Sequence, residues 1–522
     1  LLEVRRIMMR FSRRALRFRV AVSQAPFDFV SDPKKYFNQS QPILSSSLNY
    51  IDGSFVEPTN ATNDIAVCNP ATGAVLGHVP NFGSKETEHA ISAAQNAFES
   101  WSKFVARDRA VILRRWHDLM IKYNDNLGAI ITREAGKPIV EGYGENVYAA
   151  RYLEWYSGEA ERVYGDFIPS QRRGVHTTVI KQPVGVVGVI TPWNFPSAMI
   201  TRAVGGALAA GCTVVLKPSE LTPFSALALA QIAHEAGVPK GVFNVVTGNA
   251  SEIGDALTSS FAVRKISFTG STKTGKHLMR SSCDTVKKLA MELGGNAPFI
   301  VFEDADIEKA VAGIMAAKFR NAGQTCVCTN RLFLHESIHD VVVAKIVERV
   351  RQFKVGNSLD PATGTFGPVI NAAAVDRIEK MCQSAVQAGA RALTGGKRVE
   401  GPGNFFEPTV LVDVNHSMDV CQSEIFGPLL PIVKFREEQE VVTMANSTRA
   451  GLAAYFFTEN YKRQWRVSEK LQFGMVGIND GIVSAPNAPF GGVKESGLGR
   501  DGSKYGIDAF LDIKYVLHSN LA

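Results

Sequence analysis

Residues 184–195 read Val184-Gly-Val-Val-Gly-Val-Ile190-Thr-Pro-Trp-Asn-Phe195. Valine and isoleucine with only glycine between them leave no polar face, the mark of a strand buried on both sides in a parallel sheet. Downstream the same kind of run recurs at 213–216, 242–246 and 266–268, separated by Ala- and Leu-rich helical stretches. Strand and helix alternating in this way predict an α/β fold with a parallel, doubly wound sheet. Ligands then lie in the crevice beyond the carboxyl ends of its strands.

Working outward, residues 49–79 read as short strands joined by turns at Asp52-Gly53 and Pro70-Ala-Thr-Gly73. From 85 to 165 the period becomes helical: Ile91, Ala94, Phe98 and Trp101 recur at spacings of three and four and form one apolar stripe. Further helices are expected at 106–123 and 140–164, with Trp116, Met120, Tyr152 and Trp155 as core. Residues 165–181 alternate like an exposed hairpin. After Gly294 a second α/β segment opens at 297–302 and closes near Gly491-Gly492, and 510–517 reads as an edge strand open to a partner subunit.

The 522 residues are 45% hydrophobic and 20% charged, with a net charge of +7. Seven arginines against the single acid Glu3 fall within residues 1–26, so six of the seven net charges sit there. A basic excess confined to one end argues against a nucleic-acid-binding surface. Arginines interleaved with Ile7, Met8, Phe11, Leu16 and Phe18 have the composition of a mitochondrial transit peptide; a basic arm is the alternative, and the location would then be cytoplasmic. No run of 18 apolar residues occurs, so no membrane helix is expected. Seven cysteines, an odd number scattered over a long chain, do not make a secreted disulfide framework.

The chemistry gathers at strand ends. Cys326, in Gly323-Gln-Thr-Cys326, stands among small and polar residues with Arg320 six positions upstream. An electropositive, partly open setting favours the thiolate and hence a nucleophile, against the plain reading of a half-buried inert cysteine. Asn194 follows the first buried strand and can donate to an oxyanion, unless it is only a turn residue. Lys217-Pro218-Ser219-Glu220 follows the second strand; Glu220 suits a ribose and would repel a 2′-phosphate, favouring NAD, with a solvated Lys/Glu pair as the alternative. Phe268-Thr-Gly270-Ser271-Thr272-Lys-Thr-Gly275 follows a strand and opens a helix whose N-terminus attracts pyrophosphate. It is neither the Gly-x-Gly-x-x-Gly fingerprint nor a P-loop. Glu292, in Glu292-Leu-Gly-Gly295, is placed to take a proton from the thiol or from water, and Glu424, in Glu424-Ile-Phe-Gly-Pro428, to hold a ribose; either can also be a loop acid.

Trp193-Asn-Phe-Pro196, Lys217-Pro-Ser-Glu220, Phe268-Thr-Gly-Ser271, Glu292-Leu-Gly-Gly295, Gly323-Gln-Thr-Cys326 and Glu424-Ile-Phe-Gly-Pro428 resemble, in order and spacing, the aldehyde dehydrogenase superfamily over residues 45–518. Ser197-Ala-Met-Ile-Thr-Arg202, Arg320, Cys326-Val-Cys328 and Phe490-Gly-Gly-Val-Lys494 resemble the branch that oxidises succinate semialdehyde in GABA degradation.

That resemblance implies a Rossmann-like NAD-binding domain (27–164 and 182–294), a catalytic domain (295–494) and a small β oligomerisation element (165–181 and 495–522) that makes a homodimer or homotetramer. It implies that Cys326 attacks the aldehyde, that Asn194 and the Cys326 N–H hold the oxyanion, and that Glu292 activates the water that hydrolyses the thioester. NAD is then held by Ile190, Thr191, Trp193, Lys217, Pro218, Ser219, Glu220, Gly270, Ser271, Thr272, Gly275, Leu293, Glu424 and Phe426. Arg202, Arg320 and Ser484 would bind the distal carboxylate of a small aldehyde, a planar guanidinium being matched to that group. Cys326 and Cys328 would form a reversible redox pair. No metal is implied.

Two positions depart from the family. Many members have lysine where Ala203 stands, and often glutamate where Asp501 stands; both have been linked to carrying a proton away from the general base. Competing readings are a dehydrogenase of glutarate semialdehyde or another aldehyde, and a non-catalytic binding protein that kept the fold.

Overall fold

The computed structural model describes residues 46–58, 64–357, 359 and 364–519. The Arg-rich segment 1–26 lies outside the described residues.

The first Val-rich run forms the strand Val186–Ile190 within an eight-stranded sheet. Thr213–Lys217 and Val263–Thr269 flank it, both parallel. Phe243–Val245 extends the sheet on the first side and Lys288–Glu292 on the second. The chain therefore builds outward from 186–190 in one direction and then adds strands on the other. The order reverses between Val186–Ile190 and Val263–Thr269, and such a switch point opens a crevice at the strands' carboxyl ends.

The sheet is parallel only through these five strands. Asn49–Ile51 and Ser54–Val56 add an antiparallel hairpin at one edge, and Gly497–Leu498 pairs antiparallel with Met291 and Glu292 at the other. No crossover helix feeds these edge strands, so nothing forces them parallel. Alternation along the strands sorts the apolar side chains: Val187, Val189, Val214 and Leu216 enter one core, Val186, Val215 and Ile266 the other, all 0% exposed. Each such burial contributes about 1.5–3 kcal/mol.

The helix Ser84–Trp101 carries the predicted stripe, and Ala106–Lys122 and Ile139–Ala160 follow. A further helix, Asn124–Ala135, fills the stretch between the two expected helices, within the span read as helical. Tertiary packing holds it. Leu127 and Ile131 are buried, and Gly128 is where Tyr143 of the next helix packs: a Cβ there would meet the Tyr143 ring at 2.2 Å. The helix expected to reach 164 ends at Ala160.

A second sheet of seven strands centres on Thr329–His335 and Ala297–Val301, parallel to each other and to the strands flanking them. Val175–Pro183 is paired on one side with Asp166–Ile168 and on the other with Leu511–Ser519, both antiparallel, forming a separate three-stranded sheet. Ile513 and Tyr515 are exposed on its edge strand.

Candidate active site

One cavity of about 380 Å³ lies at the switch point, between the two large sheets. The first sheet supplies Trp193, Asn194, Thr269, Gly270, Ser271, Glu292 and Leu293, all at or just beyond strand ends; the second supplies Arg320, Cys326, Glu424 and Phe426. Cys326, Glu292 and Asn194, far apart in sequence, are thus brought to one place.

The loop that delivers Cys326 is held in an uncommon conformation. Asn321, Ala322 and Gly323 have φ of 51, 52 and 76°, and a left-handed alanine costs on the order of 1 kcal/mol. Gly323 is required here, since a Cβ would lie 2.3 Å from the Gly427 carbonyl oxygen. Hydrogen bonds hold the turn in place. The Asn321 N–H donates to Glu141 Oε2 at 2.8 Å, Gln324 Nε2 donates to the Asn321 carbonyl at 3.0 Å, and the Ile370 N–H donates to Gln324 Oε1 at 2.9 Å. Opposite the nucleophile, Gly295 lets the Cys326 carbonyl approach to where a Cβ would meet it at 2.2 Å.

Cys326 is only partly exposed, and its thiol is pushed up to about 12. Burial is the main cause; Arg202 opposes it, and Glu292 and Glu424 reinforce it. This corrects the electropositive setting expected from Arg320. The cation that acts on the thiol is Arg202, and two carboxyl groups share the cavity with it.

Glu292 is buried with no hydrogen-bond partner for Oε2 among the described residues. Burial and then Asp501 raise its proton affinity well above the carboxylate range, against Arg202 and Arg500. Burial thus favours the neutral acid over the ready carboxylate that was expected. Glu424, half-buried, is raised to about 7 by desolvation, although its Oε1 accepts the Gly295 N–H at 2.9 Å.

Asn194 Nδ2 donates to the Gln324 carbonyl at 3.1 Å, which uses one amide hydrogen and leaves the second for the cavity that Asn194 lines. Its main-chain carbonyl accepts from Lys137 Nζ at 2.8 Å and from Asn321 Nδ2 at 3.1 Å. The Cys326 N–H faces its own thiol. Asn194 and Cys326 line the same cavity, so both donors belong to one site.

Arg202, Arg320 and Ser484 all line the same cavity. Arg320 lies over the Phe195 ring at 5.4 Å, and Arg202 over the Phe490 ring at 4.3 Å. Tyr148, from helix Ile139–Ala160, joins them: its hydroxyl lies 2.7 Å from the Tyr152 hydroxyl and is hydrogen-bonded to Ser484. Sequence reading missed Tyr148, Met199 and Phe490 as lining residues and had assigned the aromatic residues of this helix to the core. Tyr152 is core, 0% exposed; the signal for Tyr148 was a second hydroxyl one helical turn away.

The remaining cofactor candidates occupy the crevice outside the cavity. Ile190 is in register with Lys217 and with Phe268, and the Thr191 N–H donates to the Lys217 carbonyl at 3.1 Å. Lys217 Nζ pairs with Glu220 Oε2 at 2.9 Å, with Pro218 and Ser219 buried between them. Ser271 caps the helix Thr272–Ser281 through the Thr274 N–H, and Gly275 is where Leu293 packs, since a Cβ would meet it at 2.4 Å. A helix N-terminus beside Gly270 and a Lys/Glu pair one strand over from Ile190 fit the pyrophosphate and ribose of a dinucleotide.

Cys328 is buried and free, and its Sγ lies 3.4 Å from the Lys318 carbonyl oxygen. It does not line the cavity that holds Cys326.

A model of the aldehyde dehydrogenase family matches residues 55–516. The chain is 55% identical over 481 residues to a mitochondrial succinate-semialdehyde dehydrogenase of Arabidopsis thaliana, covering 91% of each. It is 51% identical over 467 residues to a glutarate-semialdehyde dehydrogenase of Pseudomonas putida, covering 90% of this chain and 96% of the relative. The crystal structure of an Escherichia coli NADP-dependent enzyme superposes with a TM-score of 0.90 at 50% identity, covering 92% of this chain and 99% of that one.

Proposed function

The chain belongs to the aldehyde dehydrogenase family, and from that premise we propose that it oxidises succinate semialdehyde to succinate with NAD. The observation that carries the substrate is the pair of guanidinium groups, Arg202 and Arg320, beside Ser484 in the cavity that holds Cys326. Two cations in the cavity of the nucleophile, Arg202 buried and Arg320 half-buried, select an aldehyde with a carboxylate at its far end over a neutral one.

Cys326 Sγ adds to the aldehyde carbon, and the developing oxyanion is held by the second Asn194 amide hydrogen and the Cys326 N–H. The crevice residues from Ile190 to Glu220 and the Thr272–Ser281 helix end would hold NAD, which when bound would supply the acceptor for the substrate's hydride. What remains on Cys326 is a thioester. Glu292, once ionised, takes a proton from the water that hydrolyses it. Glu220 favours NAD over NADP, because a 2′-phosphate beside its carboxylate would be repelled.

A second reading is glutarate semialdehyde, one methylene longer, favoured by the Pseudomonas putida relative. One methylene changes discrimination by about 1–3 kcal/mol, so kcat/KM separates the two by roughly 10- to 200-fold. The test is NADH absorbance at about 340 nm, a property of the cofactor, with succinate semialdehyde, glutarate semialdehyde and propanal. Equal kcat/KM for all three rejects the carboxylate reading.

The Arg-rich segment 1–26 and the mitochondrial relative support import into the matrix. Exposed Ile513 and Tyr515 support assembly into a dimer or tetramer through the three-stranded sheet. Cys326 and Cys328 are assigned to a redox switch. Peroxide converts the Cys326 thiol to sulfenic acid with release of water, and the Cys328 thiol displaces a second water to close the disulfide. Cys328 must first turn from Lys318, so the bond would be strained and readily reduced by dithiothreitol. In Cys328→Ala, peroxide inactivation should become irreversible; equal rescue of both proteins leaves Cys328 as packing.

A further inference from the structure

Arg202 is held on two sides. Its Nε lies 2.9 Å from Asp501 Oδ2, with the side chains 1% and 7% exposed. Its guanidinium plane lies over the Phe490 ring at 4.3 Å. The two supports are themselves joined: the Phe490 N–H donates to the Asp501 carbonyl and the Asp501 N–H to the Phe490 carbonyl, both at 2.8 Å. The next residue is tied down as well, since the Gly502 N–H donates to the Tyr156 hydroxyl at 2.8 Å. Asp501 and Phe490 therefore form one rigid bracket, the first gripping the edge of the guanidinium and the second its face.

The other edge of the guanidinium is left over. Nε meets Asp501 as an ion pair without hydrogen-bond geometry, Nη1 has neither an acid nor a hydrogen-bond partner among the described residues, and Nη2 makes only a 3.4 Å contact to Thr269 Oγ1. A guanidinium binds a carboxylate through either Nε with Nη2 or Nη1 with Nη2. With the Asp501 carboxylate seated 2.9 Å from Nε, the Nη1/Nη2 edge is the one open to a second carboxylate, and Arg202 lines the cavity that also holds Arg320 and Ser484. Burial raises the proton affinity of Asp501, and Arg202 and Lys265 oppose that rise.

We propose that Asp501 is a positioning residue that aims the Nη1/Nη2 edge of Arg202 at the distal carboxylate of the substrate and so sets the preference for ω-carboxy aldehydes. The inference rests on the carboxylate-clamp reading given above. Asp501 does not touch the substrate, and its own negative charge works slightly against binding. Geometry, therefore, is what it contributes: a long side chain already fixed loses no rotamer freedom when the carboxylate arrives.

The test compares kcat/KM for succinate semialdehyde with that for butanal, a neutral aldehyde of equal carbon number, in Asp501→Ala and Asp501→Asn. Misfolding or a shift in Glu292 lowers both aldehydes together, whereas loss of aim lowers their ratio. In Asp501→Ala the ratio should fall by about tenfold or more, mainly through KM for succinate semialdehyde, the size of one charge-assisted contact. Asparagine keeps the acceptor and removes the charge, so Asp501→Asn should restore the ratio to within about threefold of wild type. A ratio in Asp501→Ala within threefold of wild type overturns the proposal, as does an Asp501→Asn ratio as low as that of alanine. Asp501→Leu, measured in the same way, replaces the alanine variant if that protein no longer binds NAD. Arg202→Leu separates the two layers: no change in its ratio overturns the clamp itself, whereas a fall there without one in Asp501→Ala overturns only the role of Asp501.

Discussion

Lys137 Nζ donates to the main-chain carbonyl of Asn194 at 2.8 Å, and the same ammonium pairs with Glu145 Oε2, both side chains 1% exposed. The other oxygen of Glu145 accepts the Ser197 N–H at 2.9 Å, at the start of helix Ala198–Ala210. One buried ion pair thus spans the turn that carries Asn194. Lys137→Met should strand the Glu145 carboxylate and cost about 3–5 kcal/mol, seen as a lower Tm. It should also lower kcat for neutral and carboxylated aldehydes alike. An unchanged Tm would mean that the ion pair does not hold this turn in place.

Glu292→Gln should give a burst of NADH followed by a slow steady state, because thioester formation suffers less than its hydrolysis. Rapid-mixing absorbance checks this. Equal loss of burst and steady rate would remove Glu292 from the hydrolytic step.

Arg320→Leu should raise KM for succinate semialdehyde by about tenfold to a hundredfold, since each charge-assisted contact is worth roughly 1.5–3 kcal/mol, while KM for propanal changes little. A parallel rise for both aldehydes would show that Arg320 shapes the loop and does not bind substrate.

The pH dependence of alkylation reads the state of Cys326 directly. Only the thiolate reacts, and burial has pushed this thiol up to about 12. In the unliganded enzyme the iodoacetamide rate should climb about tenfold per pH unit through pH 9 without a plateau. NAD carries a cationic ring, and a positive charge in the same cavity lowers the proton affinity of the thiol. Saturating NAD should therefore speed labelling at pH 8, and Cys326→Ala identifies the labelled site. A plateau below pH 8 in the unliganded enzyme would mean that Arg202 outweighs burial.

Glu220→Ala should narrow the preference for NAD over NADP, measured as the ratio of kcat/KM for the two cofactors. Lys217 Nζ, freed from its 2.9 Å contact with Glu220, would then face a 2′-phosphate unopposed. An unchanged ratio would place the ribose elsewhere.

Much of this was legible along the chain. The Val-rich run at 184–190 and its three echoes predicted the parallel core of the first sheet, because a strand buried on both faces must be apolar at every position. Its antiparallel edges were not legible, since a two-residue strand such as Gly497–Leu498 leaves no periodic trace. Asn124–Ala135 lay within the span read as helical, and packing against the helix that follows holds it. Asn194, Thr269 and Glu292 stand at or just beyond the carboxyl ends of strands, where a parallel sheet presents its ligand-facing groups, whereas Arg202 lies within a helix and Cys326 precedes its strand.

By itself, then, the sequence determined which side chains reach the crevice, as periodicity and turn chemistry are properties of neighbouring residues. Only the tertiary structure decided what charge those side chains carry and which of them restrain one another. Arg202 meets Asp501 across some three hundred residues, the proton affinity of Glu292 is raised by burial, and the Cys326 thiol is raised and not lowered. Proton affinity and ion pairing depend on distance in space and on exclusion of water, and neither is defined until the two large sheets close over the cavity.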